Sequence, residues 1–474
     1  MTMTGEEILR ATGGVVLSGT PAGCVVTGVS TDSRTLRPGE LFVPLRGPRA
    51  DGHDFIADAV RRGAAAALCA RPVPDIPPGV LLVRVDDPLQ ALGHLARAWR
   101  RRLSVQVVGV TGSVGKTSTT QMCAAVLARR YRVAATREEW NAEIGVPLLL
   151  LGLRAHHQVA VVEMAMRGPG QISALVEMAA PSVGVVTAVG EAHLEFLGSV
   201  EAIARAKGEL VAGLPPEGVA VLNRDDPLAW GLRTLCRGRV VGYGLSAGAE
   251  VTASDIRLDD GGTTFRLHAA GWTRQVRLSA WGRHTVSNAL AAAAVGLVWG
   301  VSPDDIVAGL DAWRPPPMRL QPVRAGDVLV INDAYNSSPR SARAALEVLA
   351  EVGRGRRRVA VLGEMRELGP RSADLHREVG ALAARHADVV VAVGGGAGAL
   401  AEGAVQAGGR AVEYAPTVEE AARLAQALVR PGDVILVKGS RALRMERVVD
   451  ALAARGEHPG SGDCGLSPGT GAGG

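Results

Sequence analysis

The sequence predicts an α/β protein of three domains, and three observations predict it. Continuous apolar runs alternate with helix-length stretches along most of the chain. That rhythm changes near residue 103 and is interrupted by the proline cluster "WRPPPMR" at 313–319. The length, 474 residues, accommodates about three domains at the usual ~150 residues each. Boundaries are expected at 1–103, 104–314 and 315–455, with a tail over 456–474.

The first domain mixes strand-like pieces ("GVSTDSR", "ELFVPL", "AAAALCA", "VLLVRV") with helical ones ("DFIADAVRRG", "PLQALGHLARAWRRR"), as a compact α/β unit would. From 104 the order becomes strand, loop, helix, repeated: "VQVVGV", then "KTSTTQMCAAVLARR", then "QVAVVEM", "SVGVVTAV" and "GVAVLN". Strands this uniformly apolar belong to a parallel sheet covered on both faces. Beyond the prolines, "VLVINDAY", "RRVAVLGEM", "DVVVAVG", "RAVEYAP" and "DVILVKGS" each lead into a helix-like stretch, which predicts a second doubly wound, Rossmann-like domain. The tail is rich in Gly, Ser and Pro and is expected to be disordered.

Composition excludes several classes. Five scattered cysteines without a CxxC pair argue against a disulfide framework or a zinc site and suit a reducing, cytoplasmic setting. The start "MTMTGEEILR" shows no secretory signal, and the apolar run at 146–153 is far short of the ~20 residues that span a bilayer. A net charge of +5, spread along the chain, forms no nucleic-acid stripe. Of 52 basic residues just three are lysines, Lys116, Lys207 and Lys438. Lysine offers a compact charge and an amine that can lose its proton, neither of which arginine supplies.

All three lysines fall at chemically suggestive places. Lys116 lies in "VTGSVGKTSTT", where an apolar strand feeds a turn with Gly112 and Gly115 and a helix follows. Backbone N–H groups from Gly112 through Ser113, Gly115 and Ser118 would face phosphate, Lys116 would reach the outer phosphates, and Thr117 would offer its hydroxyl to Mg²⁺. The spacing is GxxGKT rather than the longer GxxxxGKT, because Val110 stands at the first Gly position. Lys207 shares the apolar stripe of "VEAIARAKGELVAGL". Buried there, it would lose pKa and its neutral amine could take up CO₂ as a carbamate; alternatively it snorkels from the stripe's edge. Glu163 and His193 follow strand ends, either as plain loop residues or as ligands for Mg²⁺ beside the phosphates. Lys438 ends "DVILVK", and Asp333, Tyr335 and Asn336 sit at another strand–helix junction.

Together these motifs resemble the Mur ligase family of cell-wall amide ligases. In the first domain "VSTDSRTLRPGELFVPLRG" and "DGHDF" are similar to the family's uridine-nucleotide-binding module. "TGSVGKTS", "NAEIGVP", "EMAMRGPGQI", "AHLEFLGSVEAIARAKGEL", "LNRDDP" and "GRHTVSNALAAAA" follow in family order. "DAYNSSPRSARAAL", "GEMRELG" with His376 beyond it, and "LVKGSR" resemble the branch that adds D-alanyl-D-alanine to UDP-N-acetylmuramoyl-tripeptide through an acyl phosphate. The resemblance implies a UDP-MurNAc-binding domain, a P-loop ATP-binding domain and a Rossmann-like ligase domain. It implies ATP, two Mg²⁺ ions and a carbamylated Lys207, with Lys116, His193 and Lys207 catalytic and Thr117, Glu163, His193 and Lys207 at the metals. His284 and Asn288 would lie by the adenine, Arg319 at the γ-phosphate, and Asp333, Tyr335 and Asn336 at the nucleoside. Ser33, Arg34, Asn141 and Lys438 would serve the substrates. A monomer acting on small molecules without nucleic acid is expected. A diamino-acid-adding or folylpolyglutamate-type ligase, or an inactive nucleotide-binding scaffold, are the alternatives. Val114, Glu139 and Ala142 stand where the family has Asn, and the third peptide residue (diaminopimelate or lysine) is not encoded in any motif.

Overall fold

The computed structural model describes residues 1–48, 50–73, 79–137, 140–259 and 261–456. Glu139 and, of the tail expected over 456–474, residues 457–474 therefore lie outside the described residues. The α/β class is as expected. Two compact units divide at Arg314 and Pro315, within the proline cluster.

In the first unit, a five-stranded sheet is built from Val15–Ser18, Leu81–Arg84, Ala66–Cys69, Leu41–Phe42 and Val29–Ser30 in spatial order. Helix Pro88–Arg100 begins at Asp87, whose carboxylate caps the amides of Leu89 and Gln90, with Pro88 at the first helical position. Two residues at its end join this sheet to the next: Trp99 Nε1 donates to the Leu153 carbonyl at 3.1 Å and Arg100 Nε to that of Ala179 at 3.0 Å.

A nine-stranded sheet follows. Its parallel part runs Arg239–Tyr243, Val219–Asn223, Val183–Val186, Gln106–Thr111, Val159–Glu163, Val133–Ala135, so the strand feeding the glycine turn is flanked on both sides. Most valines of these strands are buried because helices cover both faces. Helix Arg283–Val298 packs against helix Lys116–Leu127, and its stretch Ala289–Val295, apolar all round, is buried on every side. Not foreseen was an antiparallel extension, Val251–Asp259, Gly262–Ala269 and Trp272–Leu278. Alternating polar and apolar residues made it a weaker signal than the valine runs, although the glycines at 261–262 mark its hairpin.

The second unit carries a six-stranded sheet in the order Gln321–Ala325, Val328–Asp333, Val434–Lys438, Arg358–Gly363, Val389–Val393, Val412–Ala415. Its five inner and far strands are parallel and match the expected βα units; Gln321–Ala325 is an added antiparallel edge. Among the described residues no helix is long and apolar enough to cross a membrane.

Candidate functional site

Strand Gln106–Thr111 ends in a turn that tolerates no side chain at two places. A Cβ on Gly112 (φ +152°) would come within 1.9 Å of Thr187 Oγ1, and one on Gly115 (φ +82°) within 2.5 Å of Asn288 Oδ1. Glycine alone accommodates both the backbone angles and the crowding. The turn is then tied down. Thr187 Oγ1 donates to the carbonyl of Val114 at 2.6 Å, Ser113 N–H to that of Ala188 at 2.7 Å, and Ser113 Oγ to that of Gly190 at 3.0 Å. Helix Lys116–Leu127 starts at Gly115 without a side-chain cap, leaving its first amides directed at whatever anion the turn holds. Lys116 Nζ donates to the Gly112 carbonyl at 2.9 Å, folded across the turn's mouth. Thr117 and Ser118 are half-buried in the first helical turn.

Glu163 ends the neighbouring parallel strand and is buried. Its Oε1 accepts from Asn141 Nδ2 at 2.9 Å, so the retained asparagine of the 139–142 run is committed to this carboxylate; no second hydrogen bond to it forms among the described residues. His193 adopts a left-handed backbone (φ +64°) at the start of the short helix Leu194–Leu197, a conformation that non-glycine residues take chiefly where the surroundings enforce it. Lys207 lies on helix Val200–Ala212 at 1 % exposure, and no hydrogen-bond or ion-pair partner meets its amine among the described residues. Burial pushes its pKa well below the usual lysine value, and the positive charge of Lys116 pushes it further the same way. The inward-facing alternative for Lys207 thus holds over the snorkelling one.

His284 and Asn288 share one face of helix Arg283–Val298, four residues apart, with Asn288 against the glycine turn. In the second unit, buried Lys438 pairs with partly buried Asp333 at 2.6 Å, and the Arg319 guanidinium lies 4.0 Å from the ring centre of Tyr335. Asn336 is exposed, its carbonyl held by Lys438 at 2.7 Å. In the first domain, Ser33 is buried and its hydroxyl bonds the Asp58 carboxylate, which it helps to hold below the usual carboxylate range. Arg34 turns onto Asp32 at 2.6 Å on the surface.

Three family profiles match the chain: "Mur ligase family, catalytic domain" over 25–100, "Mur ligase middle domain" over 110–296 and "Mur ligase, glutamate ligase domain" over 318–441. A UDP-N-acetylmuramoyl-tripeptide–D-alanyl-D-alanine ligase from Bacillus subtilis is 36 % identical over 90 % of this chain and 93 % of its own length. The chain belongs to the Mur ligase family. Among solved structures, MurF from Acinetobacter baumannii superposes with a TM-score of 0.87 at 32 % identity, covering 96 % of this Mur ligase and 99 % of that chain. MurF from Thermotoga maritima in complex with ADP superposes with a TM-score of 0.82 at 31 % identity, over 91 % and 98 %.

The residues fit ATP and Mg²⁺. The glycine cradle, the uncapped helix start and Lys116 suit a polyphosphate. The Thr117 hydroxyl and the Glu163 carboxylate are hard oxygen donors of the kind Mg²⁺ takes one or two at a time, with phosphate and water oxygens completing its shell. Among the described residues no three His, Cys, Asp or Glu side chains converge on one metal position.

Sequence reasoning missed the supports of the turn. Thr187 anchors Val114 through its hydroxyl, and its backbone N–H donates to the Thr111 carbonyl at 3.0 Å; Asn223 Nδ2 in turn donates to the Thr187 carbonyl at 2.8 Å. A polar residue closing an apolar strand, as in "VGVVT" and "VAVLN", is the signal that was available for both.

Proposed function

We propose that this Mur ligase joins D-alanyl-D-alanine to the terminal carboxylate of UDP-N-acetylmuramoyl-tripeptide, driven by ATP. The substrates are those in the names of relatives that match it almost end to end. The observation that carries the reaction class is Lys207: a buried amine near Lys116, with no hydrogen-bond or ion-pair partner among the described residues, has little structural use unless it is modified. Its neutral form attacks CO₂, forming an N–C bond and releasing a proton, and the resulting carbamate is a carboxylate that arginine could not provide.

Three domains share the work: 1–103 for the uridine nucleotide, 104–314 for ATP and 315–455 as the Rossmann-like ligase domain. A carboxylate does not accept an amine unaided, because oxide is not a viable leaving group. The tripeptide carboxylate takes the γ-phosphoryl group, giving an acyl phosphate and ADP. The dipeptide amine attacks the carbonyl carbon, and phosphate leaves from the tetrahedral intermediate as the amine's proton is lost. Lys116 leaves the Gly112 carbonyl for the phosphates and, with Arg319, stabilises the charge on the transferring group. The turn's amides hold the phosphates in place; Asn141 orients Glu163. Two Mg²⁺ ions, one at Thr117 and Glu163 and one at His193 and the carbamate, supply neutralising charge when bound. His284 and Asn288 serve the adenine side, Tyr335 and Asn336 the nucleoside, and Ser33 and Arg34 the uridine substrate. The enzyme is read as a cytoplasmic monomer that engages no nucleic acid.

Phosphate release is measured with UDP-linked tripeptide, with and without D-Ala-D-Ala, using tripeptides that differ at the third residue. Release dependent on both substrates is expected. Release that ignores them sinks the ligase reading.

A further inference from the structure

Lys438 lies at the centre of a contact network that ends on Arg319. Strands Val328–Asp333 and Val434–Lys438 run parallel with Asp333 beside Lys438 at their carboxyl ends. Lys438 is 2 % exposed, and its Nζ donates to Asp333 Oδ2 at 2.6 Å and to the Asn336 carbonyl at 2.7 Å. The other oxygen of Asp333, Oδ1, accepts from the backbone N–H of Leu320 at 3.2 Å. On the opposite side of Arg319, the Met318 carbonyl accepts from Tyr335 N–H at 3.2 Å. Each chain neighbour of Arg319 is therefore bonded to the 333–336 turn that Lys438 closes.

Those two neighbours are both left-handed, Met318 at φ +58° and Leu320 at φ +49°. Bulky side chains adopt that region only where their surroundings over-determine it. The result is an arginine presented from a strained bend, its guanidinium resting on the Tyr335 ring at 4.0 Å.

We propose that Lys438 is a positioning residue for Arg319: its ammonium, through Asp333 and the Asn336 carbonyl, fixes the bend and the aromatic face that aim the guanidinium. This rests on the reading of Arg319 as the γ-phosphate contact, and it reassigns Lys438 from the peptide substrates to the phosphoryl-transfer step. It also explains why lysine persists here in so arginine-rich a chain. The two oxygens sit 2.6 and 2.7 Å from one nitrogen, a geometry for a compact ammonium rather than a planar fork.

The test is substrate-dependent ADP release by the full chain, with the ATP, tripeptide and dipeptide concentrations each varied. For Lys438→Met, kcat is expected to fall roughly 100-fold, the effect of misplacing a catalytic group by about 1 Å, while KM for tripeptide and dipeptide stays within about 2-fold. Placed in an Arg319→Ala background, Lys438→Met is expected to add less than about 3-fold, because both changes disable one unit. A raised KM for either peptide substrate with kcat intact overturns the proposal, and so do losses that multiply. If Lys438→Met does not fold, Lys438→Gln, which keeps a donor toward Asp333 but not the ammonium, is carried through the same cycle with Arg319→Ala, where multiplying losses again overturn it. A wild-type chain without substrate-dependent ADP release refutes the ligase reading instead; an active wild type with multiplying losses refutes this inference alone.

Discussion

Asn141 Nδ2 donates to Glu163 Oε1 at 2.9 Å, and that bond connects a loop to the end of a buried strand. The family-like asparagine at 141 thus holds a carboxylate, where the sequence suggested contact with substrate. Second-layer partners of this sort set ligand orientation. Asn141→Ala is expected to raise the Mg²⁺ concentration for half-maximal turnover by about 10- to 100-fold. A Mg²⁺ titration of ADP release measures it; an unchanged midpoint with weakened peptide binding assigns the amide to the peptide.

Lys207→Ala is expected to lower turnover by about 100- to 1000-fold, the range for removing one preorganised charge from a site. Short carboxylates such as acetate or formate should restore part of it by filling the place of the carbamate. Wild-type turnover in this variant, or a loss that no carboxylate relieves in a folded protein, removes the carbamate from the mechanism.

Gly112→Ala should separate the turn from its anchor, because the new Cβ would lie 1.9 Å from Thr187 Oγ1. The strain is about 1–3 kcal/mol. Thermal unfolding with and without Mg-ADP is the readout: the variant should melt lower and lose most of the ADP-induced rise seen in the parent. Equal ADP-induced shifts in the two proteins would place the nucleotide elsewhere.

His376 is buried with both ring nitrogens engaged. Nε2 accepts from Met365 N–H at 2.8 Å, while Nδ1 faces the Ser372 carbonyl at 2.7 Å and donates to it, so the ring is neutral. Burial depresses its pKa below the ordinary 6.5, outweighing the Ser372 carbonyl and the Glu364 charge, which pull upward. A depressed folded value means the unfolded chain takes up a proton that the folded chain resists. The associated stability is therefore fully present above pH 6.5 and is lost as pH falls through the folded value. His376→Gln, which keeps an acceptor for Met365, should flatten this acid-side decline in urea midpoints between pH 7 and pH 5. Parallel declines in the two proteins would exclude His376 as its source.

Valine-rich runs, glycine spacing and the three lysines determined a good deal without any structure. They located the parallel strands of both doubly wound sheets, because a strand buried on two faces must be apolar throughout. The phosphate turn was legible in Gly112, Gly115 and Lys116, since its demands are backbone angles and one ammonium. Tertiary structure decided what each polar side chain meets. Asn141 and Glu163 are 22 residues apart in sequence, Thr187 and Val114 are 73 apart, and Lys438 and Asp333 are 105 apart. No local pattern records such distances, because they are set when separate strands align in register. The antiparallel edges escaped notice for a related reason: half-exposed strands carry mixed residues, and the sheet edge that recruits them exists only after folding. Lys438 shows the division most clearly. Composition singled it out as a lysine that arginine had not replaced, and the fold supplied the reason, a buried gap between a carboxylate and a carbonyl that one small cation fills.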